Sequence, residues 1–217
     1  MPKKHPPEPE TNCKRCHRLV AFRKENTKKH PDFHNGAVQS FGPTDAPFLI
    51  IGLAPGLKGA NRTGRPFTGD FSGDLLFKGL IQMGWTKGKN ENRAGDGFQL
   101  KSCRITNAVC CVPPQNKPTA EEVNNCRDFL LARLDTMKRL RVIMVLGRIA
   151  HDTTIRTFGL RLADYKFGHS SVHTLPNGLR LVDSYHVSRY NVNTGVLTEP
   201  MFLDALKKVE LELETAP

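Results

Sequence analysis

The chain of 217 residues is 38% hydrophobic and 24% charged, the composition of a folded domain with a sizeable core rather than of a disordered or fibrous protein. Its 32 Lys and Arg against 21 Asp and Glu give a formal charge of +11 and favour a polyanionic partner, nucleic acid ahead of an anionic membrane. No apolar run approaches the roughly 20 residues of a membrane span, and the opening MPKKHPPEPE has no apolar h-region, so neither a spanning helix nor a secretory signal is expected.

Residues 1–12 read as a short disordered arm ahead of one domain. The positive charge concentrates there and just beyond: residues 1–30 hold nine Lys and Arg against three Glu. Residues 17–30 have the pattern of a basic helix anchored by Leu19, Val20 and Phe22, and 31–47, with Pro, Gly, Asp and Asn, read as irregular chain. Residues 48–53 are apolar at consecutive positions, the mark of a strand buried on both faces. A glycine-rich loop, GLAPGLKGANRTGRPFTGDFS, follows over 52–72 and leads into a helix over 74–83 ended by Gly84. Residues 86–99 read as a surface excursion.

A second strand is expected over 103–109, with Asn107 near its carboxyl end. Thr119-Ala-Glu-Glu opens a helix as a capping box, and 141–146 (RVIMVL) form a third strand followed by a helix from Gly147 towards Gly159. Pro176-Asn177-Gly178 marks a hairpin between strands at 171–175 and 179–185. The second of these delivers the chain to HVSRYNVNTG at 186–195, and a last helix starts near Thr198. Strand and helix in alternation specify an α/β fold, a mostly parallel sheet between helix layers.

Six cysteines without an export signal point away from disulfides. Cys13 and Cys16 form a CxxC; Cys111 and Cys126 form a second pair, separated by a stretch holding Pro113, Pro114 and Pro118. Four thiolates from two distant segments suit either a tetrahedral zinc or a [4Fe–4S] cluster, and spacing alone does not choose between them. Cys103 and Cys110 read as ordinary buried thiols.

In a parallel sheet the ends of successive strands share one edge, where such folds bind ligands. The glycine loop, Asn107 and the segment from His186 therefore converge on one crevice. It offers cations and hydrogen-bonding groups (Asn61, Arg62, Thr63, Arg65, Thr68), an aromatic ring (Phe67), a carboxylate (Asp70), an amide and a histidine. A nucleobase turned out of a DNA duplex needs stacking on a ring and hydrogen bonds to its Watson–Crick edge. Asp70 also stands where the next helix would take its N-cap.

GLAPG at 52–56, GANRTGRPFTGD at 59–70, TNAVCC at 106–111 followed by PPQNKPT, and HVSRYNVNTG at 186–195 together resemble the uracil-DNA glycosylase superfamily, most closely family 5 of its iron–sulfur branch. The resemblance runs from residue 13 to the last helix. It implies a three-layer α/β/α sandwich, a single glycosylase domain over 13–217 and excision of uracil from DNA, with other deaminated bases such as hypoxanthine as further substrates. It also implies a [4Fe–4S] cluster on Cys13, Cys16, Cys111 and Cys126 that ties the N-terminal arm. The uracil pocket would comprise Gly52, Leu53, Ala54, Pro55, Gly56, Phe67, Asn107, His186 and Ser188. His186 would donate to the departing base, Asn107 read its edge, Phe67 stack on it, and Asp70 orient water or stabilise the sugar cation. Leu53 and Ala54 replace the acidic or amide residues of related families, which fits family 5. His186-Val187-Ser188 stands where His-Pro-Ser is usual, a change expected to loosen the loop. Arg62, Arg65, Ser188, Arg189 and the helix at 14–29 are the candidate phosphate contacts, and Tyr190 or Arg189 the candidate wedge into the duplex. The partner is uracil-containing DNA, the expected state a monomer without membrane attachment, and the expected place a prokaryotic cytoplasm at the nucleoid. The competing reading from the residues is a non-catalytic DNA-binding module stapled by zinc.

Overall fold

The structure, a computed structural model, describes residues 7–215. Its elements in chain order begin with α1 (His17–Lys29), β1 (Phe48–Gly52), the short α2 (Ala60–Thr63) and α3 (Phe71–Gln82). They continue with β2 (Thr86–Lys87), β3 (Gln99–Leu100), β4 (Cys103–Asn107) and α4 (Ala120–Thr136). The last are β5 (Val142–Leu146), α5 (Arg148–Thr157), β6 (Val172–Thr174), β7 (Arg180–Ser184), α6 (Arg189–Asn193) and α7 (Glu199–Thr215).

Five strands form the central sheet in the order β4-β1-β5-β7-β6; the first four run parallel and β6 closes the edge antiparallel. Every residue of β1, β4 and β5 is buried, as consecutive apolar residues require of strands covered on both faces. Alternate residues serve the two layers. Phe48, Ile50, Ile105, Met144 and Val182 pack with Leu76, Leu80, Phe202 and Leu206 of α3 and α7. Leu49, Ile51, Ile143, Val145 and Leu181 pack with Leu130 of α4 and Ala150 and Ile155 of α5. The α/β/α sandwich follows from this two-sided burial. No helix of the described residues is long and apolar enough to cross a membrane.

Several boundaries move for local reasons. Helix α3 starts at Phe71 because Asp70 caps it, accepting from Gly73 N. Strand β4 ends at Asn107, and its bonding to the β1 chain runs on briefly, Ala108 N and Val109 N donating to Gly52 O and Leu53 O, both at 2.9 Å. The expected capping box on α4 is present, with Thr119 and Glu122 each bonding the other's backbone. The hairpin expected at Pro176-Asn177-Gly178 joins β6 to β7, closed by Leu175 N on Leu179 O at 2.9 Å.

Residues 1–6 of the expected disordered arm lie outside the described residues, and residues 7–12 correct that expectation. Glu8 reaches Arg104 at 3.0 Å and Arg133 at 3.1 Å, one on β4 and the other on α4, and its Oε2 accepts from Ser40 N. Arg133 is 1% exposed, so losing Glu8 would strand a buried guanidinium, a loss on the order of 3–5 kcal/mol. The excursion at 86–99 is likewise more ordered than expected: β2 pairs with β3, and Trp85, Phe98 and Leu100 enter the core.

Beneath the hairpin lies a buried polar group. His151 of α5 places Nδ1 at 2.7 Å from Asp183 Oδ1 of β7 and Nε2 at 2.8 Å from Tyr165 O. A carbonyl only accepts, so Nε2 carries a hydrogen; a second proton on Nδ1 makes the ring a cation facing the carboxylate. Burial opposes that charge, but the hydrogen bond and charge of Asp183 outweigh it and raise the His151 pKa. A raised folded-state pKa stabilises the fold fully below the unfolded value of about 6.5 and loses that contribution as pH rises through the folded value. His151→Gln should therefore cost most stability near pH 6 and progressively less towards pH 8.5, read as the gap between wild-type and variant urea midpoints. A gap that is constant or widens with pH would contradict the charged pair.

Candidate active site

The carboxyl ends of β1, β4 and β7 open on one crevice, with β1 at the point where successive strands are laid to either side. A cavity of about 320 Å³ sits there, room for one nucleotide base and its sugar rather than for a large cofactor. Its wall comprises Leu53, Ala54, Pro55 and Gly56 from the loop after β1, Phe67, Asp70 and Ser72 from the approach to α3, Asn107 from β4, and His186 and Ser188 after β7; Ala60 and Asn116 complete it. All the side chains expected to form one pocket are thus brought together, from segments up to 135 residues apart in sequence, Leu53 to Ser188.

Gly52 lies just beneath the floor rather than in the wall. It is paired with Asn107 in the parallel register. A Cβ at this position would lie 2.5 Å from Asn107 Oδ1 and 2.5 Å from Phe67 Cζ. Only glycine lets the strand end, the amide and the ring meet. Asn107 is 4% exposed, and its buried Oδ1 has no hydrogen-bond partner among the described residues. An orphaned buried amide oxygen is costly and is the feature of a site completed by a ligand. Phe67 holds a left-handed φ of 52°, a strained conformation that turns the ring against Gly52.

Asp70 has both of the anticipated placements. Its Oδ1 accepts from Gly73 N at 3.3 Å as the cap of α3. Its Oδ2 lies against Gly56 and Gly59, where added Cβ atoms would come within 2.9 and 2.0 Å. Burial raises its pKa above the ordinary carboxylate range, against the backbone N–H groups of Gly73 and Ser72.

His186 faces the cavity, and burial alone lowers its pKa, keeping the ring neutral at pH 7 with one N–H to donate. The loop that carries it is not loosened by the missing proline. Val187 is fully buried in the α3–α7 layer, Asn191 Nδ2 donates to His186 O at 2.8 Å, and Ser188 caps α6 by accepting from Asn191 N. A buried side chain here does what a fixed φ does elsewhere.

The polar residues of the glycine loop are mostly turned inward, a correction to their reading as ligand contacts. Arg65 is 6% exposed and forms a two-pronged pair with Asp96 at 2.7 and 3.0 Å, bonds Asn90 and Thr68, and packs among Phe41, Phe77 and Phe98. The pairing holds the Asp96 carboxyl well below the usual carboxylate range. Arg65 therefore clamps the 86–99 excursion and does not face a phosphate. Asn61 is buried with Nδ2 donating to Asn35 Oδ1 and its own Oδ1 left without a partner among the described residues, and Thr63 bonds the loop's own carbonyls. Arg62 and Arg189 stay exposed at the rim, and Tyr190 projects with 74% of its surface free. In α1, Arg18 is paired with Glu122 and the preceding Arg15 with Asp128, leaving Lys24, Lys28 and Lys29 to the surface.

The four thiols of the expected metal centre come together behind the pocket loop. Cys16, Cys111 and Cys126 share an apolar cluster with Leu19, Val109 and Ala54, and Cys13 acts electrostatically on both Cys16 and Cys111. No three of the sulfurs lie within 4.8 Å of one another; among the described residues the one such trio of donors is His151, His173 and Asp183, where both nitrogens of His151 are already engaged. Asn125 Nδ2 lies 3.6 Å from Cys16 Sγ. Cys103 is an inert buried thiol, its pKa pushed up to about 12 by burial. Cys110 departs from that expectation: a hydrogen bond from Cys126 and the charge of Arg133, whose Nη2 lies 3.1 Å from its sulfur, hold it below the usual thiol range.

The sheet order and the cavity at its switch point define a doubly wound α/β fold with a ligand-sized pocket at its strand ends. The profile of the uracil DNA glycosylase superfamily matches residues 39–210, and the chain belongs to that superfamily. Within it, the chain is 42% identical over 205 residues to a type-5 uracil-DNA glycosylase of Thermus thermophilus, covering 92% of this chain and 93% of the relative. A type-5 enzyme of Pyrobaculum aerophilum is 37% identical, covering 91% and 87%. A type-4 uracil-DNA glycosylase from the same organism is 32% identical over 69% of this chain.

Asn116 and Ser72 are pocket residues that the sequence reading did not single out. The signal for Asn116 was an Asn set among prolines, the residue type that tolerates a left-handed turn. For the carboxylate, ¹³C NMR of a protein labelled at Asp should place the Asp70 midpoint above the ordinary value of about 3.9. A midpoint at or below that value would mean that the cap hydrogen bonds outweigh burial.

Proposed function

We propose that the protein is a DNA glycosylase of base excision repair that hydrolyses the N-glycosidic bond of uracil in DNA, with other deaminated bases such as hypoxanthine in its range. The observation that carries this is the meeting of Asn107, Phe67, Asp70 and His186 in one base-sized cavity of a chain so similar to type-5 enzymes. A non-catalytic binding module would leave the orphaned amide and the strained ring without a purpose. The site of action is the nucleoid of a prokaryotic cytoplasm.

Cleavage leaves negative charge on the base and positive charge on the sugar, so the enzyme must stabilise both without protonating either at the outset. The uracil, flipped from the duplex, stacks on Phe67 while Asn107 bonds its edge. Neutral His186 donates to the carbonyl on which charge gathers. The Asp70 carboxylate faces the sugar, stabilises the oxocarbenium-like carbon and orients the water. Water oxygen bonds to C1′, the C1′–N1 bond breaks with its electron pair on the base, and the water proton leaves through Asp70 to the departing base or solvent. Arg62, Arg189 and the exposed lysines of α1 meet the phosphates, a sequence-independent contribution to affinity.

Cys13, Cys16, Cys111 and Cys126 are assigned to a [4Fe–4S] cluster. Three of them gather with Leu19, Val109 and Ala54 in one apolar patch, surroundings that suit such a cluster. When bound, the cluster supplies a staple and no chemistry, fastening α1 and the Cys111–Cys126 segment behind the pocket loop.

Purified protein incubated with end-labelled duplex DNA carrying one uracil, then treated with alkali, should yield strand cleavage at the uracil alone. His186→Ala should lower the rate by about 10²–10³-fold while leaving the thermal midpoint in place. Wild-type turnover in that variant would remove His186 from the mechanism, and an uncleaved strand with the wild-type protein would overturn the glycosylase reading. The purified protein should contain iron and acid-labile sulfide in equal amounts and no zinc. Cys13→Ser should lose iron together with DNA binding or folded yield, and a fully folded variant that binds DNA but has lost only turnover would contradict a structural role.

A further inference from the structure

His169 is half-buried and lies outside the cavity wall. It belongs to a turn over 168–171 that is fastened to β7: Gly168 N donates to Asp183 Oδ2 at 3.2 Å, Ser170 N to Asp183 O at 2.8 Å, and Asp183 N to Ser171 O at 2.9 Å. From this mount the ring reaches two backbone groups. Its Nδ1 lies 3.2 Å from Tyr185 N, and its Nε2 lies 3.2 Å from Met201 O in the first turn of α7. An amide N–H only donates and a carbonyl only accepts, so Nδ1 is bare and Nε2 carries the hydrogen. Burial lowers the pKa of the ring and keeps it in this neutral form. The ring also stacks on that of Tyr185, with centroids 4.9 Å apart and planes 24° from parallel.

Tyr185 is the residue at which the sheet releases the chain. The last pairing of β7 with β5 sets Ser184 beside Leu146, and its pairing with β6 has already ended at Val182 and Val172. Tyr185 N is thus past both ladders, and the His169 ring supplies the acceptor that no strand provides. The next residue is His186, and Val187 beyond it is sunk in the core. Building on the glycosylase reading, we infer that His169 is a positioning residue for His186: by accepting from Tyr185 N it fixes the point from which the His186 imidazole enters the pocket. It touches neither base nor sugar.

Two substitutions divide its contacts. Asn carries Oδ1 as many bonds from Cβ as His carries Nδ1, and so keeps an acceptor for Tyr185 N; Gln carries Nε2 as many bonds from Cβ as His carries its own, and so keeps only the donor to Met201 O. With uracil-containing duplex under single turnover at saturating protein, His169→Gln should lower the cleavage rate about tenfold, leave the Kd for DNA within about twofold, and be outrun by His169→Asn, which should stay within about threefold of wild type. In a His186→Ala background, His169→Gln should bring no further loss, because no imidazole remains to be placed. A role in stability alone would move thermal midpoints without separating the two variants in rate, and its cost would be the same in both backgrounds. Equal rates in His169→Asn and His169→Gln, or an undiminished loss in the His186→Ala background, overturn the inference while the glycosylase reading stands. Wild-type protein that leaves the uracil in place overturns both.

Discussion

The parallel pairing of Gly52 with Asn107 is the contact on which the site depends. The two chains stay joined just beyond it, Ala108 N and Val109 N donating to the carbonyls of Gly52 and Leu53. The absence of a side chain at Gly52 leaves a hollow that the Asn107 amide and the Phe67 ring share. A methyl group there would collide with both, so the pocket floor and the end of the sheet are a single construction. Phe67 keeps a strained backbone to reach it, as expected of a residue placed for ligand binding rather than for packing alone.

Around that floor, much of the positive charge is structural. Arg65 is locked to Asp96, Arg104 and Arg133 share Glu8, and Arg18 grips Glu122. Planar guanidiniums suit such two-pronged pairing, whereas Lys24, Lys28 and Lys29 of α1 lie exposed. Net charge therefore overstates what a polyanion would meet, and the surface available to DNA is narrower than the composition implies.

What was legible in the sequence was local or periodic. The buried strands declared themselves through consecutive apolar residues, the α4 start through Thr119 and Glu122, and the last hairpin through Pro-Asn-Gly. The convergence of the glycine loop, Asn107 and His186 followed from parallel topology, because that topology fixes which strand ends share an edge. Illegible were the pairs that exist only after folding. Arg65 and Asp96 are 31 residues apart, and Glu8 and Arg133 are 125 apart. Nothing in composition separates a cation that will be buried from one that will meet a phosphate. Glu8 thus turned an apparent tail into a packed segment, and Arg65 turned an apparent phosphate ligand into a clamp.

Val187 joins the two halves of the molecule's economy. The loop bearing His186 is anchored by a side chain sunk in the same apolar layer as Phe202 and Leu206 of α7. A proline would have isolated the loop's geometry from its surroundings by covalent constraint, but packing exposes it to them. Small losses of volume in α7, far from any nucleotide, would then be felt first as imprecision in the placement of the imidazole, while the protein is still folded. Turnover in this chain should be a more sensitive gauge of core integrity than melting, and the α7 positions should tolerate fewer substitutions than their distance from the pocket suggests.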